Sequence, residues 1–341
     1  MAISSQPSVR TKAWARDYFR GVEGCVLPSF TAGFADIDEA GIRYDVRAGI
    51  AQGYFSLFCS SPSTIGDEYL RFISAACDEA RGRIGISIVA GSGSEERNIA
   101  LLAHAAAAGC THALVAIRPV PETADELLAA YRRLIRSTPL GIVLYAYRSP
   151  DLRRFDPTGI PLDVLSTLAG EPNVVAVKLT QTLDPTTALV CAERLGDRLL
   201  VGSADLAMLS VLADRVPISW TGQWLTDALQ SPDHPYLVDF MTLLREGRPA
   251  DARALYWTIE PAYRTFAELQ RPFLVRGAHP WTHMKYYQWC VGGNGGLLRP
   301  NIEGTGPLDD AGREAIRQSY RNLGIAVPTG DDSFDAGRSQ S

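Results

Sequence analysis

The sequence predicts an α/β fold, specifically a (β/α)8 TIM barrel followed by a C-terminal helical extension. Short apolar runs alternate with helical patterns, which is typical of βα units and a parallel sheet. Eight such runs occur, and a chain of 341 residues is long enough for a barrel, which commonly takes ~250 residues or more. No GxGxxG motif follows an early strand, and Gly91-Ser92-Gly93 is too short to indicate a dinucleotide-binding fold.

Apolar runs and helical periodicity place the elements in order. The predicted strands are Cys25–Leu27, Phe55–Cys59, Ile84–Ala90, Ala113–Ile117, Gly141–Tyr145, Val174–Lys178, Leu199–Gly202 and Val216–Trp220. The helices predicted between them are Asp67–Ala80, Glu95–Ala108, Ala124–Ser137, Leu162–Leu168, Pro185–Leu195 and Leu206–Ala213. The later part of the chain is helical, over Tyr236–Leu244, Ala250–Leu269, His283–Val291 and Asp309–Leu323.

These elements divide the chain into four parts. Residues 1–20 form an N-terminal extension, 21–230 the barrel, and 231–327 the C-terminal helical region. The tail, 328–341, is rich in Asp, Gly and Ser, and we expect it to be disordered.

Composition excludes several classes of partner. The formal net charge of −5 provides no basic field, so nucleic acid is not expected as a partner. No stretch resembles a membrane span of ~20 apolar residues, and the first twenty residues lack the apolar core of a signal peptide. Six cysteines without paired spacing indicate reduced thiols. We expect a cytoplasmic protein.

Lys178 is the most informative residue. The chain has 33 Lys plus Arg, of which only three are lysines, and Lys178 ends the apolar run Val174–Val177. Arginine stays protonated and is not a nucleophile, whereas burial lowers the pKa of a lysine amine and allows it to form a Schiff base with a carbonyl. The alternative is a strand-end lysine whose amine reaches solvent.

Polar residues follow several predicted strands, at the end of a barrel where catalytic groups lie. Those at strand ends are Ser60, Ser61, Tyr145, Lys178, Ser203 and Asp205. Adjacent strands five and six place the Tyr145 hydroxyl beside the Lys178 amine, and a phenol supplies the proton transfers that Schiff-base chemistry needs. The alternative for Tyr145 is a core aromatic at the rim of the barrel.

Several stretches together resemble the dihydrodipicolinate synthase / N-acetylneuraminate lyase family of class I, Schiff-base-forming aldolases. The matching residues are Ile88–Gly93, Ala108–Ala113, Ile142–Tyr145, Asn173–Lys178, Gly202–Asp205, Lys285 and Gly292–Pro300. The resemblance extends over about residues 20 to 325. It implies a (β/α)8 barrel, Schiff-base chemistry on a 2-oxo acid, no metal or organic cofactor, and a homotetramer built from tight dimers. The partners we expect are a pyruvate-like 2-oxo acid, an aldehyde and further copies of this chain, in a dimer or a tetramer. The resemblance also implies that Lys178 forms the imine and that Tyr145 shuttles protons.

The chain departs from the family pattern in two places. The usual Gly-Thr-Thr-Gly-Glu loop, which holds the substrate carboxylate, is replaced by Cys59-Ser60-Ser61-Pro62-Ser63-Thr64. Ser60 and Ser61 retain hydroxyls and N–H groups for that role, while Pro62 removes one donor. The family's Pro-Tyr-Tyr reads Pro119-Val120-Pro121, so the second tyrosine of the relay is absent. The chain is therefore interpreted as a divergent member.

Further residues are candidates for the remainder of the substrate. Arg148 follows strand five, and its guanidinium suits a second acidic group; the alternative is a solvated loop neutralised by Asp151. Trp220 ends strand eight, either as a wall of the pocket or as core packing. His279 and His283 have metal-ligand spacing but no third ligand nearby, so we expect no metal site.

The sequence leaves several functions open. The first is a lyase or aldolase in which Ser60 and Ser61 hold the carboxylate of the 2-oxo acid and Ser203 lines the site. The second is a sugar-acid dehydratase or hydratase-aldolase that uses the same imine. The third is a non-catalytic barrel that acts as a ligand sensor. The lysine retained beside a tyrosine favours catalysis.

Overall fold

The computed structural model describes residues 9–179, 184–222, 226–275, 278–300 and 308–340. Eight strands alternate with helices along the chain and belong to one eight-stranded sheet, so the predicted (β/α)8 barrel with C-terminal helices is confirmed. The strands are β1 (Gly21–Val26), β2 (Ser56–Cys59), β3 (Gly85–Ser92), β4 (His112–Arg118), β5 (Gly141–Ala146), β6 (Val174–Leu179), β7 (Leu200–Ser203) and β8 (Trp220–Gly222).

Helices follow the strands and continue after β8. They are α1 (Lys12–Tyr18), α2 (Glu39–Ala51), α3 (Glu68–Ala80), α4 (Glu95–Ala108), α5 (Ala124–Arg136), α6 (Leu162–Leu168), α7 (Pro185–Leu195), α8 (Leu206–Leu212), α9 (Tyr236–Arg245), α10 (Pro249–Leu274), α11 (Trp281–Cys290) and α12 (Asp310–Asn322). Among the described residues no helix is long and apolar enough to cross a membrane.

Helices α1 and α2 were not predicted, and β1, β8 and α10 have bounds that differ from the prediction. Helix α2 was not expected, because Gly41 and Gly49 interrupt its apolar pattern. Gly49 is needed there, since a Cβ would lie 2.6 Å from the Leu57 side chain. The eighth strand begins at Trp220 rather than Val216, and Ile218 makes only an isolated parallel bridge to Val201.

The chain divides into two compact units. The first consists of Met1–Arg20 and Gly85–Thr221, and the second of Gly21–Ile84 and Gly222–Ser341. In the first unit β3 to β7 pair in sequence order, each parallel to the next. Their side chains are almost completely buried, as in a parallel sheet with both faces covered.

Helices on either side of β5 and β6 fix the two strands that carry the predicted site. Helix α5 begins with a capping box, in which Thr123 and Glu126 each accept a bond from the other's backbone N–H. Asn173 donates to the carbonyls of Ile135 and Leu140 immediately before β6 begins. These bonds hold the start of β6 against the elements that precede it.

The C-terminal tail is folded, so the expectation of disorder over 328–341 is wrong for the described residues 328–340. Phe334 is fully buried and makes edge contacts with Tyr286 and Trp289 of α11, at 4.9 and 5.6 Å between ring centroids. Asp331 accepts from the Tyr286 hydroxyl at 2.6 Å, and Arg338 donates to the carbonyl of Trp289 at 2.9 Å. A few well-placed contacts order a segment whose composition is polar.

Candidate active site

Tyr145 and Lys178 are directly paired across β5 and β6. Paired residues in a parallel sheet point to the same face, and the Lys178 Nζ lies 5.5 Å from the centroid of the Tyr145 ring. Lys178 is 5% exposed and Tyr145 is partly exposed, near the ends of their strands. Burial raises the pKa of the Tyr145 phenol to about 12, against a smaller lowering by the charge of Arg118. The phenol is therefore protonated at neutral pH.

Two residues not singled out in the sequence adjoin this pair. Tyr147 stacks on Tyr145, with 5.2 Å between ring centroids and 29° between the planes. The Arg118 guanidinium, at the end of β4, lies 4.6 Å from the centroid of the Tyr147 ring. Tyr147 lies beyond both the predicted and the observed end of strand five, so its closeness to Tyr145 in the sequence was the available signal.

Ser203 and Trp220 occupy other positions in the first unit. Ser203 is buried, and its hydroxyl accepts the backbone N–H of Asp205, which in turn caps α8. Trp220 is 1% exposed; its ring packs edge-on against Phe19 at 5.3 Å, and its indole N–H donates to the carbonyl of Leu200. These contacts favour core packing for Trp220 over a pocket wall.

Arg148 forms an ion pair with Asp184, which the sequence analysis did not name as its partner. Its guanidinium donates to Asp184 at 2.5 Å and to the carbonyl of Thr158 at 3.1 Å, rather than pairing with Asp151. Asp184 caps α7, and bonds from Thr187 and then Arg148 lower its pKa to about 2. The Arg148 charge is thus already neutralised by a stable anion.

Ser60 and Ser61 lie in the second unit, directly after β2. Ser60 is buried, and its backbone N–H donates to the carbonyl of Val26 at 3.1 Å. Neither serine hydroxyl is hydrogen-bonded to another residue in the part of the chain that the structure describes. Cys59 is fully buried, which raises the pKa of its thiol well above the ordinary value. A nucleophilic thiolate there is disfavoured.

Arg299 holds the loop that follows these serines. It pairs bidentately with Glu68 at 2.6 and 2.7 Å, and it also donates to the carbonyls of Ser63 and Phe34. Both carbonyl residues have positive φ, 72° and 61°, which a side chain disfavours. One guanidinium therefore secures two strained turns of the second unit.

The second unit also contains a buried polar cluster. The Lys285 Nζ donates to the Pro28 carbonyl at 2.7 Å and to the Ser29 hydroxyl at 2.9 Å, and lies 4.0 Å from Asp45. Burial lowers the pKa of Lys285 and raises that of Asp45 to about 6. The amine is thus committed to local oxygen acceptors.

A cavity of about 20 Å³ adjoins this cluster, and Asp45, Tyr54, Asp227 and Gln288 line it. That volume is enough for one water molecule. Within the described ranges no group of His, Cys, Asp and Glu has the arrangement of a metal site.

The chain matches the model of the dihydrodipicolinate synthetase family over residues 20–214. It is 30% identical over 161 residues to the 4-hydroxy-tetrahydrodipicolinate synthase of Hyphomonas neptunium, and spans 53% of that protein's length. It is 25% identical over 322 residues to the enzyme of the same name from Afipia carboxidovorans, covering 91% of this chain and 99% of the relative.

Solved structures share the fold at low identity. The N-acetylneuraminate lyase of Fusobacterium nucleatum, in complex with pyruvate, superposes with a TM-score of 0.68 at 15% identity over 90% of this chain and 97% of that one. The fold and the site define a (β/α)8-barrel protein with a buried lysine on its sixth strand. The chain belongs to the dihydrodipicolinate synthetase family.

Proposed function

We propose that the protein is a lyase that acts on a pyruvate-like 2-oxo acid through a Schiff base on Lys178. The observation that carries this proposal is the pairing of Lys178 with Tyr145 in neighbouring strands, with the amine 5.5 Å from the phenol ring. Membership of the family supports it, since curated relatives are named 4-hydroxy-tetrahydrodipicolinate synthase.

Lys178 attacks the ketone carbon of the substrate, and the carbinolamine loses water to give an imine. The protonated imine accepts the electron pair of a breaking carbon–carbon bond, which releases an aldehyde and leaves an enamine. Protonation of the enamine and addition of water then return the 2-oxo acid and the free amine. The reverse sequence is an aldol addition.

Tyr145 moves the protons in these steps. Because burial holds its pKa at about 12, the phenol donates a proton to the departing hydroxyl of the carbinolamine. The resulting phenolate then takes the proton of the substrate hydroxyl as the carbon–carbon bond breaks, and the phenol returns that proton to the enamine. The nearby Arg118 charge lowers that pKa and so stabilises the transient phenolate.

Ser60 and Ser61 are proposed to bind the substrate carboxylate. Two hydroxyls without a partner among the described residues support this role. We propose that the turn at Ser203 lines the substrate site, while the Ser203 hydroxyl accepts the backbone N–H of Asp205. We also propose a homo-oligomer, which the family resemblance implies, and a cytoplasmic location, which the six scattered cysteines favour; sedimentation of the purified protein tests the first.

A second candidate uses the same imine to eliminate water from a sugar acid. The same lysine and tyrosine serve that reaction, since only the leaving group differs. A third candidate, a non-catalytic ligand sensor, is favoured by the replaced loop after β2 and by the absent second tyrosine.

Turnover of Lys178→Arg tests the proposal. Arginine keeps the positive charge and removes the nucleophile, so we expect no turnover of any 2-oxo acid that the wild type cleaves. Activity near the wild-type level in a folded Lys178→Arg protein would falsify the Schiff base. A wild type that binds 2-oxo acids but neither cleaves nor dehydrates them would support the sensor.

A further inference from the structure

Arg118 is the last residue of β4 and is exposed. Its guanidinium lies 4.6 Å from the centroid of the Tyr147 ring, on which it forms a cation–π contact. No carboxylate of the described residues forms an ion pair with it. An arginine held by an aromatic face keeps its hydrogen-bond donors available for a planar anion.

Arg118 faces the same region as the catalytic pair. Its cation–π contact with Tyr147, which follows β5, places the guanidinium beside the ring that lies two residues beyond Tyr145. Tyr147 in turn stacks on Tyr145, and Tyr145 is paired with Lys178 in the neighbouring strand.

Neighbouring arginines differ from Arg118 in having acidic partners. Arg148 donates to Asp184 at 2.5 Å, and Arg154 donates to Glu122 at 2.8 Å. Both follow β5, and the sequence indicated Arg148 as the anion binder. A substrate anion would have to displace Asp184 to reach Arg148, whereas Arg118 has no such competitor among the described residues.

We propose that Arg118 binds a second anionic group of the substrate, so that the substrate is a 2-oxo acid carrying a carboxylate or phosphate at the end remote from its ketone. This inference rests on the proposed function of Lys178. It assigns the binding of the distal charge to Arg118 instead of Arg148. It also excludes sugar acids whose single charged group is the carboxylate beside the ketone.

The test compares 2-oxo acids that differ only in the distal charge. The wild type is incubated with 2-oxoglutarate or 2-oxopentanoate, and with 2-oxoadipate or 2-oxohexanoate, and is then reduced with borohydride. The concentration that labels half of the protein is read from the intact mass. A charge-assisted bidentate contact should favour the dicarboxylate over the monocarboxylate of the same chain length. We expect the dicarboxylate to label the protein at about 10- to 100-fold lower concentration at one of the two lengths.

The variants separate charge from packing. Arg118→Gln should lose the preference, so that each dicarboxylate and its monocarboxylate counterpart label at similar concentrations, and Arg118→Lys should retain part of it. Arg148→Gln is the matched control and should retain the preference in full. A phosphonate analogue of the favoured length distinguishes a distal phosphate from a carboxylate, since the better-matched group labels at the lower concentration.

The two proposals fail differently. If pyruvate labels Lys178 but the wild type shows no preference at either length, or if Arg118→Gln keeps the preference, the role of Arg118 is wrong and the Schiff base stands. If no acid labels Lys178 in the folded wild type, both proposals are contradicted.

Discussion

Tyr145 and Lys178 occupy the same level of two neighbouring parallel strands, so the backbone register alone places the phenol ring 5.5 Å from the amine. The arrangement requires no loop to position either group. Three flanking pairs of the same two strands, Val143–Ala176, Leu144–Val177 and Ala146–Leu179, share this register. Rigid strands are a suitable support for groups that must meet a substrate in one geometry.

Replacing Tyr145 with Phe should slow the reaction by about 10²- to 10⁴-fold, the usual contribution of a positioned acid or base. The ring stays, so the contacts with Lys178 and Tyr147 are kept and only the hydroxyl is lost. The rate of imine formation, followed by borohydride quenching at timed intervals, measures the effect. An unchanged rate would assign the proton relay to another group.

Replacing Arg299 with Lys should lower the free energy of unfolding by about 1.5–3 kcal/mol, because lysine keeps the charge but loses the bidentate bond to Glu68 and the bonds to the two strained turns. The control is Arg264→Lys, since the Arg264 side chain is 65% exposed and its pair with Glu260 should contribute at most about 1 kcal/mol. Chemical denaturation measures both. Equal effects of the two substitutions would show that the Arg299 cluster has no special role.

Asp227 should make the protein less stable as the pH rises. Burial raises the pKa of its carboxyl from 3.8 to about 6, although the carboxylate accepts bonds from Gln288 and Tyr54. The folded state therefore holds a proton that the unfolded chain has already lost. Between about pH 4 and pH 7 this costs up to about 3 kcal/mol, and at higher pH the cost stays constant.

The Asp227→Asn protein isolates this contribution, because asparagine does not titrate. The stability of the wild type relative to this variant should fall between pH 4 and pH 7 and then become level. Denaturation midpoints measured across that range provide the comparison. A relative stability that rises with pH would mean that the folded protein stabilises the ionised carboxylate.

Replacing Phe334 with Ala should cost about 3–5 kcal/mol of stability, the usual effect for a fully buried aromatic ring. The neighbouring Ser333→Ala is a suitable control, because Ser333 is only partly buried. Thermal unfolding of the full chain measures both variants. A negligible effect of Phe334→Ala would restore the original expectation of a disordered tail.

Much of the barrel follows from local signals. Helices α4, α6 and α7 have the predicted bounds: Ser94 and Asp184 cap α4 and α7, and Pro161 immediately precedes α6. Strands β5 and β6 were predicted to within one residue, since each is a short apolar run ended by a polar side chain. Their adjacency then follows from the strand order of a barrel.

The remainder depends on contacts distant in sequence. The pairing of Arg148 with Asp184 joins residues 36 positions apart, and no local pattern indicates it. The tail is ordered because Phe334 reaches α11, although composition alone indicates disorder. Arg118 resembles any strand-end arginine until the Tyr147 ring is placed beside it.

The most direct test of the account uses the three lysines of the chain, Lys12, Lys178 and Lys285. Borohydride reduction with pyruvate, followed by peptide mass spectrometry, identifies which amine forms the imine. Lys12 donates to the carbonyl of Ala169, and Lys285 is buried and bonded to the Pro28 carbonyl and the Ser29 hydroxyl. The account predicts an adduct on Lys178 alone. An adduct on Lys285, or none in the folded protein, would contradict it.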